Sequence, residues 1–131
     1  MSKPQKAAVI GGGVIGGGWA PRLILARVDV AFADPHPHDA RKLEAIMGNA
    51  ERAMARLWPG QSTGNRGVLT HASSIGEAVD GADLIQESAP ERLDLKQKIH
   101  AEIGEAAHAD AIIGSSTSGL LPTDIKKGTA R

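Results

Sequence analysis

Residues Ala8 to Gly18 read AVIGGGVIGGG, and this stretch constrains the fold more than any other. An apolar run of strand type leads directly into Gly11, Gly13 and Gly16, spaced as G-x-G-x-x-G. In a strand-loop-helix unit the first of these glycines permits the tight turn out of the strand. The second lets a pyrophosphate approach the backbone, and the third lets helix and strand pack closely. The phosphates would then sit at a helix N-terminus, where free N–H groups and the positive end of the helix dipole favour anions. Gly11, Gly13, Val14, Ile15 and Gly16 are therefore assigned to cofactor binding. Taken alone the motif is weak. It gains weight from Val28 to Ala33, a second apolar run that ends in Asp34, close to the offset of about 20 residues at which an acid meets the ribose hydroxyls of a dinucleotide.

Further strand-type runs lie around Val68 to His71, at Asp83 to Gln86 and at Ala111 to Gly114, with helical patterns between most of them. That alternation predicts an α/β domain of Rossmann type: a doubly wound, mainly parallel sheet with helices on both faces. The first helix is expected to run from the glycine loop to about Ala26. Leu43, Ile46, Met47, Ala50, Met54 and Leu57 recur at three- and four-residue steps, which marks a long amphipathic helix from roughly Pro37 to Leu57. Trp58-Pro59-Gly60 ends it, and Gln61 to Arg66 is expected to be the most mobile loop. A short helix fits Gly76 to Val79. Another, from about Arg92 to Ala107, carries Leu95, Ile99, Ile103 and Ala106 as its apolar stripe.

Composition narrows the function classes. The 131 residues suffice for one core and contain no cysteine, so disulfides, thiolate metal sites and cysteine nucleophiles are excluded. Fifteen basic residues balance fifteen acidic ones without long blocks of either sign, which argues against nucleic-acid or membrane-surface partners. No apolar stretch is long enough to span a bilayer. A cytoplasmic protein acting on a small molecule is the resulting expectation.

In an open doubly wound sheet, ligands bind outside the carboxyl ends of the strands. Three segments are expected to converge there: the glycine loop, Glu87-Ser88-Ala89-Pro90-Glu91-Arg92, and Ser115-Ser116-Thr117-Ser118-Gly119-Leu120. The four hydroxyl residues of the last segment suit either donation to a polar ligand or ordinary loop and cap duties.

At these two segments the chain resembles the NAD-binding domain of the 3-hydroxyacyl-CoA dehydrogenase superfamily. Ile85 to Lys96, IQESAPERLDLK, and Asp110 to Pro122, DAIIGSSTSGLLP, carry the likeness most sharply. The resemblance implies NAD as cofactor, with Gly11, Gly13 and Gly16 at its pyrophosphate and Asp34 at the adenosine ribose. It implies that Glu91 and Lys96 lie beside the nicotinamide ribose and that Ser88 approaches the same part by its backbone. It also implies that Ser118 hydrogen-bonds the substrate's 3-oxygen, which makes Ser118 and Glu91 the candidate catalytic residues. Read bare, Lys96 is an exposed lysine in the first turn of a helix, and Glu91 an acid favoured near that helix's start.

The activity so implied is NAD-dependent oxidation of the 3-hydroxyl of L-carnitine to 3-dehydrocarnitine. Alternatives are a 3-hydroxyacyl-CoA or other 3-hydroxyacid substrate, or a non-catalytic NAD-binding module. Such enzymes use a histidine base beyond the serine matched by Ser118, and a helical substrate domain that forms a homodimer. Neither has a counterpart here, so residues 1–131 are expected to be the NAD-binding domain of a longer enzyme. No metal is expected: His36 and His38 flank Pro37 in a strand-to-helix turn, His71 falls in a strand and His108 at a helix end. His100, one turn beyond Lys96, is the only histidine expected to approach the cofactor side, and more as a satisfied surface residue than as a base.

Overall fold

A computed structural model of the chain describes residues 4–11, 14–34, 40–57 and 66–127. Strands β1 (Lys6–Ile10), β2 (Asp29–Ala33), β3 (Leu69–His71), β4 (Leu84–Glu87) and β5 (Ile112–Ser115) form one sheet in the order β3-β2-β1-β4-β5. Every pairing is parallel, with Ala8 opposite Ala31 and Ile85, and Glu87 opposite Ile10 and Ser115. Helices α1 (Val14–Leu25), α2 (Ala40–Leu57), α3 (Ile75–Val79), α4 (Leu93–Ala106) and α5 (Pro122–Ile125) intervene or follow. The expected alternation is thus observed. Helix α5 was not anticipated; it is a four-residue turn opened by Pro122, which leaves no room for a periodic apolar signal.

Successive strand residues point to opposite faces, so a strand covered on both sides must be apolar throughout. In β1, Ala8 and Ile10 join one core with Ala78, Val79, Ile99 and Ile103 of α3 and α4. Ala7 and Val9 join the other, with Ala20, Leu23 and Ile24 of α1 and Met47 of α2. Burying each Val, Leu or Ile side chain contributes about 1.5–3 kcal/mol, which makes β1 the spine of both layers. On α2 the expected stripe is only partly used, because Leu57 is 66% exposed. Eighteen helical residues extend roughly 27 Å, whereas the five residues of β2 extend only about 17 Å, so the helix outruns its sheet. Residues 35–39 and 58–65, which include the expected start of this helix, its stop signal and most of the mobile loop, lie outside the described residues.

The joint between α1 and β2 uses a left-handed residue. Arg27 has φ 68°, and around it Arg27 N–H donates to Ile24 O and Val28 N–H to Leu23 O, both at 3.0 Å. This is how helices are commonly terminated, although glycine is the usual occupant. Gly67 N–H then donates to Ile24 O at 2.8 Å. A Cβ on Gly67 would fall 2.0 Å from Val28 O, so only glycine lets the chain enter β3 this close to β2.

Candidate functional site

Because all five strands run the same way, their carboxyl ends share one edge, and the chain leaving each is tied to a neighbour. Gly11 N–H donates to Ala33 O at 2.9 Å, Ser88 N–H to Ile10 O at 2.7 Å, and Ser116 N–H to Glu87 O at 2.9 Å. The three segments expected to converge do so. Gly11 has φ 99°, and a Cβ there would lie 2.7 Å from both Ser88 C and Ser88 O. Its lack of a side chain therefore serves the turn and also the approach of the β4–α4 loop. Gly13 lies outside the described residues; Val14, Ile15 and Gly16 open α1. Asp34 directly follows β2 and is half-buried.

The centre of this edge is a polar cluster that sequence reasoning missed. Glu87 belongs to β4, one residue beyond the expected strand end, and its side chain is wholly buried. Its Oε2 accepts from Lys96 Nζ at 2.6 Å and from Ala89 N–H at 2.8 Å. Its Oε1 accepts from Ser115 Oγ at 2.6 Å and pairs with His100 Nε2 at 2.9 Å. Burial pushes the Glu87 carboxyl pKa up, but the bonds from His100, Lys96, Ser115 and Ala89 together outweigh it and hold the group at about 2. Lys96, which read bare is an exposed lysine, is 1% exposed, and its Nζ also donates to Ala89 O at 3.1 Å. His100, expected at the surface, is 7% exposed. Both corrections have one cause. Lys96, Ile99, His100 and Ile103 lie three or four residues apart and form the face that α4 turns toward the sheet. The matching signal in β4 was the two-residue step from Ile85 to Glu87, which puts the carboxylate on the face that α4 covers.

Glu91 stands at the solvent side of the cluster, exposed, with Oε1 4.0 Å from Lys96 Nζ. Thr117 Oγ1 donates to Glu91, and Ser118 N–H donates to its Oε2 at 3.2 Å. Those bonds from Thr117 and then Ser118 hold its carboxyl below the usual range. The acid therefore ties down the β5 loop and does not cap α4, whose first residue is preceded by Arg92 without a side-chain cap. Ser88 Oγ and Ser116 Oγ are 2.8 Å apart, and Gln86 Nε2 donates to Ser116 Oγ at 2.6 Å. Of the four hydroxyls that suited either a ligand or ordinary loop duties, Ser115, Ser116 and Thr117 are thus engaged within the protein. Ser118 is exposed at the edge.

His71 lies in β3, its ring edge-on to Phe32 at 5.9 Å. His108 Nε2 lies 3.8 Å from Asp83, and His36 and His38 fall outside the described residues. A cavity of about 520 Å³ beside β5 is lined by apolar residues including Ile113, Leu120 and Ile125, with Ser115, Thr117, His100 and Lys126 as its polar wall. Among the described residues no helix is long and apolar enough to cross a membrane.

An anionic ligand half at the glycine loop and a polyhydroxylated half beside Glu91 and Lys96 would suit this edge. Glu91 offers an exposed acceptor and Lys96 a fixed donor. Residues 6–131 match the family model described as the 3-hydroxyacyl-CoA dehydrogenase NAD binding domain. A protein named L-carnitine dehydrogenase from Mesorhizobium japonicum is 53% identical over 126 residues, covering 96% of this chain and 34% of the relative. An L-carnitine dehydrogenase/betainyl-CoA thioesterase from a Rhizobium species is 54% identical, covering 96% of this chain and 25% of that protein. The chain therefore spans only about a quarter to a third of the length of these two relatives. Among solved structures, an NAD⁺-dependent 5-formyl-3-hydroxy-2-methylpyridine 4-carboxylic acid 5-dehydrogenase superposes with TM-score 0.84 at 29% identity, covering 98% of this chain and 41% of that one. The chain belongs to the 3-hydroxyacyl-CoA dehydrogenase family, of which it carries the NAD-binding domain.

Proposed function

We propose that this chain is the cofactor-binding part of an NAD-dependent dehydrogenase that oxidises the 3-hydroxyl of L-carnitine to 3-dehydrocarnitine. The observation that carries the reading is the meeting of Gly11, Ser88, Glu91, Lys96 and Ser118 at one sheet edge. The names of relatives about half identical over nearly the whole chain support the choice of substrate. NAD, when bound, supplies the hydride acceptor. Gly11, Gly13, Val14, Ile15 and Gly16 hold the pyrophosphate and Asp34 the adenosine ribose. Ser88 approaches the nicotinamide half by its backbone, and Glu91 and Lys96 address the nicotinamide ribose. Ser118 orients the substrate oxygen, and a histidine base outside these residues takes the hydroxyl proton. The same reading carries a homodimeric complete enzyme in the cytoplasm.

The test is a chimera that joins residues 1–131 to the part of the Mesorhizobium japonicum relative beyond the matched span. It should form NADH with L-carnitine, and the 131-residue chain alone should bind NAD weakly without turnover, since a missing general base costs a factor of about 10²–10⁴. A folded chimera that forms no NADH with L-carnitine would overturn the reading of this chain as the cofactor-binding part of such an enzyme. Ordinary turnover by the chain alone would place a base inside it, with His100 the first to examine.

A further inference from the structure

We propose that Glu87 is a positioning residue for the cofactor: its buried carboxylate holds Lys96 apart from Glu91, so that the two present one donor and one acceptor to a ribose cis-diol. The inference rests on the assignment of Lys96 and Glu91 to the nicotinamide ribose, and adds what makes that pair usable.

An ammonium group has three N–H donors. Lys96 commits one to Glu87 Oε2 at 2.6 Å and one to Ala89 O at 3.1 Å. For the third, Glu91 Oε1 stands 4.0 Å away, beyond hydrogen-bond distance. Two carboxylates thus flank one ammonium, and the buried one holds it. Without Glu87 the flexible lysine would close on Glu91, and donor and acceptor would satisfy each other in place of a diol. Glu87 is itself over-determined. Its four partners come from the β4–α4 loop, from two positions on α4 and from the end of β5. Lys96 has four rotatable side-chain bonds, whose freedom is costly to freeze. The fold carries that cost before any ligand arrives, which is preorganisation. The cluster also reaches the substrate side, because Glu91 holds Thr117 and the Ser118 N–H.

The experiment measures NAD⁺ and ADP binding to the 131-residue chain by amide chemical-shift titration. ADP contains the adenosine and pyrophosphate but no nicotinamide ribose, so it reports on the glycine loop and Asp34 alone. Glu87→Gln should weaken NAD⁺ about tenfold, the loss of roughly one hydrogen bond to a charged group, and leave ADP unchanged within about twofold. Glu87→Asp keeps the charge but withdraws it by one methylene; it should fall between and carries the test if the glutamine variant does not fold. Lys96→Met should reproduce the tenfold loss, and Glu87→Gln added to it should cost nothing more, since one residue acts through the other. Equal weakening of ADP and NAD⁺ by the Glu87 variants would make Glu87 merely structural and overturn the proposal. So would unchanged NAD⁺ affinity in those variants, or additive losses in the double variant. An unchanged NAD⁺ to ADP ratio in Lys96→Met would instead refute the ribose assignment itself, and the proposal with it.

Discussion

Lys96 Nζ lies 2.6 Å from Glu87 Oε2, and the two side chains are 1% and 0% exposed. A buried ion pair seldom stabilises a fold better than an apolar pair of the same volume would, because both charges must be desolvated. Its presence under the carboxyl edge therefore points away from stability and toward the placement of the ammonium. The desolvation is compensated locally: Ser115, His100 and Ala89 N–H complete the carboxylate's bonds, and Ala89 O takes a second lysine proton.

Acid should unfold this domain partly through Glu87. Its folded pKa is about 2 against an ordinary 4.5, so the stability it contributes is fully present above pH 4.5 and is lost as pH falls through 4.5 toward 2. The linked contribution is roughly 3 kcal/mol. Urea unfolding at a series of pH values should show a smaller acid loss in Glu87→Gln than in the parent; parallel curves would contradict the burial and bonding described here.

Asp34 should select NAD over NADP. A carboxylate directly after β2 accepts from ribose hydroxyls, whereas a 2′-phosphate brings a like charge against it. Titration with both cofactors should give weaker NADP binding, and Asp34→Asn should narrow the gap. NADP binding equal to or tighter than NAD binding would remove Asp34 from this role.

Ser118→Ala, placed in the chimera, should lower turnover on the order of a hundredfold, as removal of one donor to a developing oxyanion does. NAD affinity should stay nearly intact, because the Ser118 backbone N–H still donates to Glu91 Oε2. Steady-state kinetics with a separate NAD titration distinguishes this from a structural defect, which would move both.

Arg27→Gly should stabilise the fold by up to about 1 kcal/mol, because relief of a left-handed Cβ penalty of about 1–2 kcal/mol exceeds the entropic cost of glycine. Arg27 precedes β2 and so lies at the edge opposite the site, and NAD binding should not change. Gly11→Ala should do the reverse, combining φ 99° with a Cβ 2.7 Å from the Ser88 carbonyl. Thermal melts of both variants check the pair of signs.

Local regularities were legible in the chain. Alternation of apolar runs with helical periods announced a parallel doubly wound sheet, and the strand cores of β1 and β2 fell where their Ala, Val, Ile and Phe residues lie. The glycine spacing and Asp34 marked which ends of the strands to inspect, because those features depend on neighbours in sequence. Apart from the family resemblance, nothing in the local pattern marked Lys96 and His100 as buried. A lysine and a histidine four residues apart look like a solvated helix face until the sheet supplies a carboxylate beneath them. Only the tertiary packing set Glu87 against α4, at nine and thirteen residues' distance along the chain, and turned Ser115 back from 28 residues away to complete its bonds. A charge is buried when partners from separate elements arrive together, and no single segment of sequence contains that coincidence.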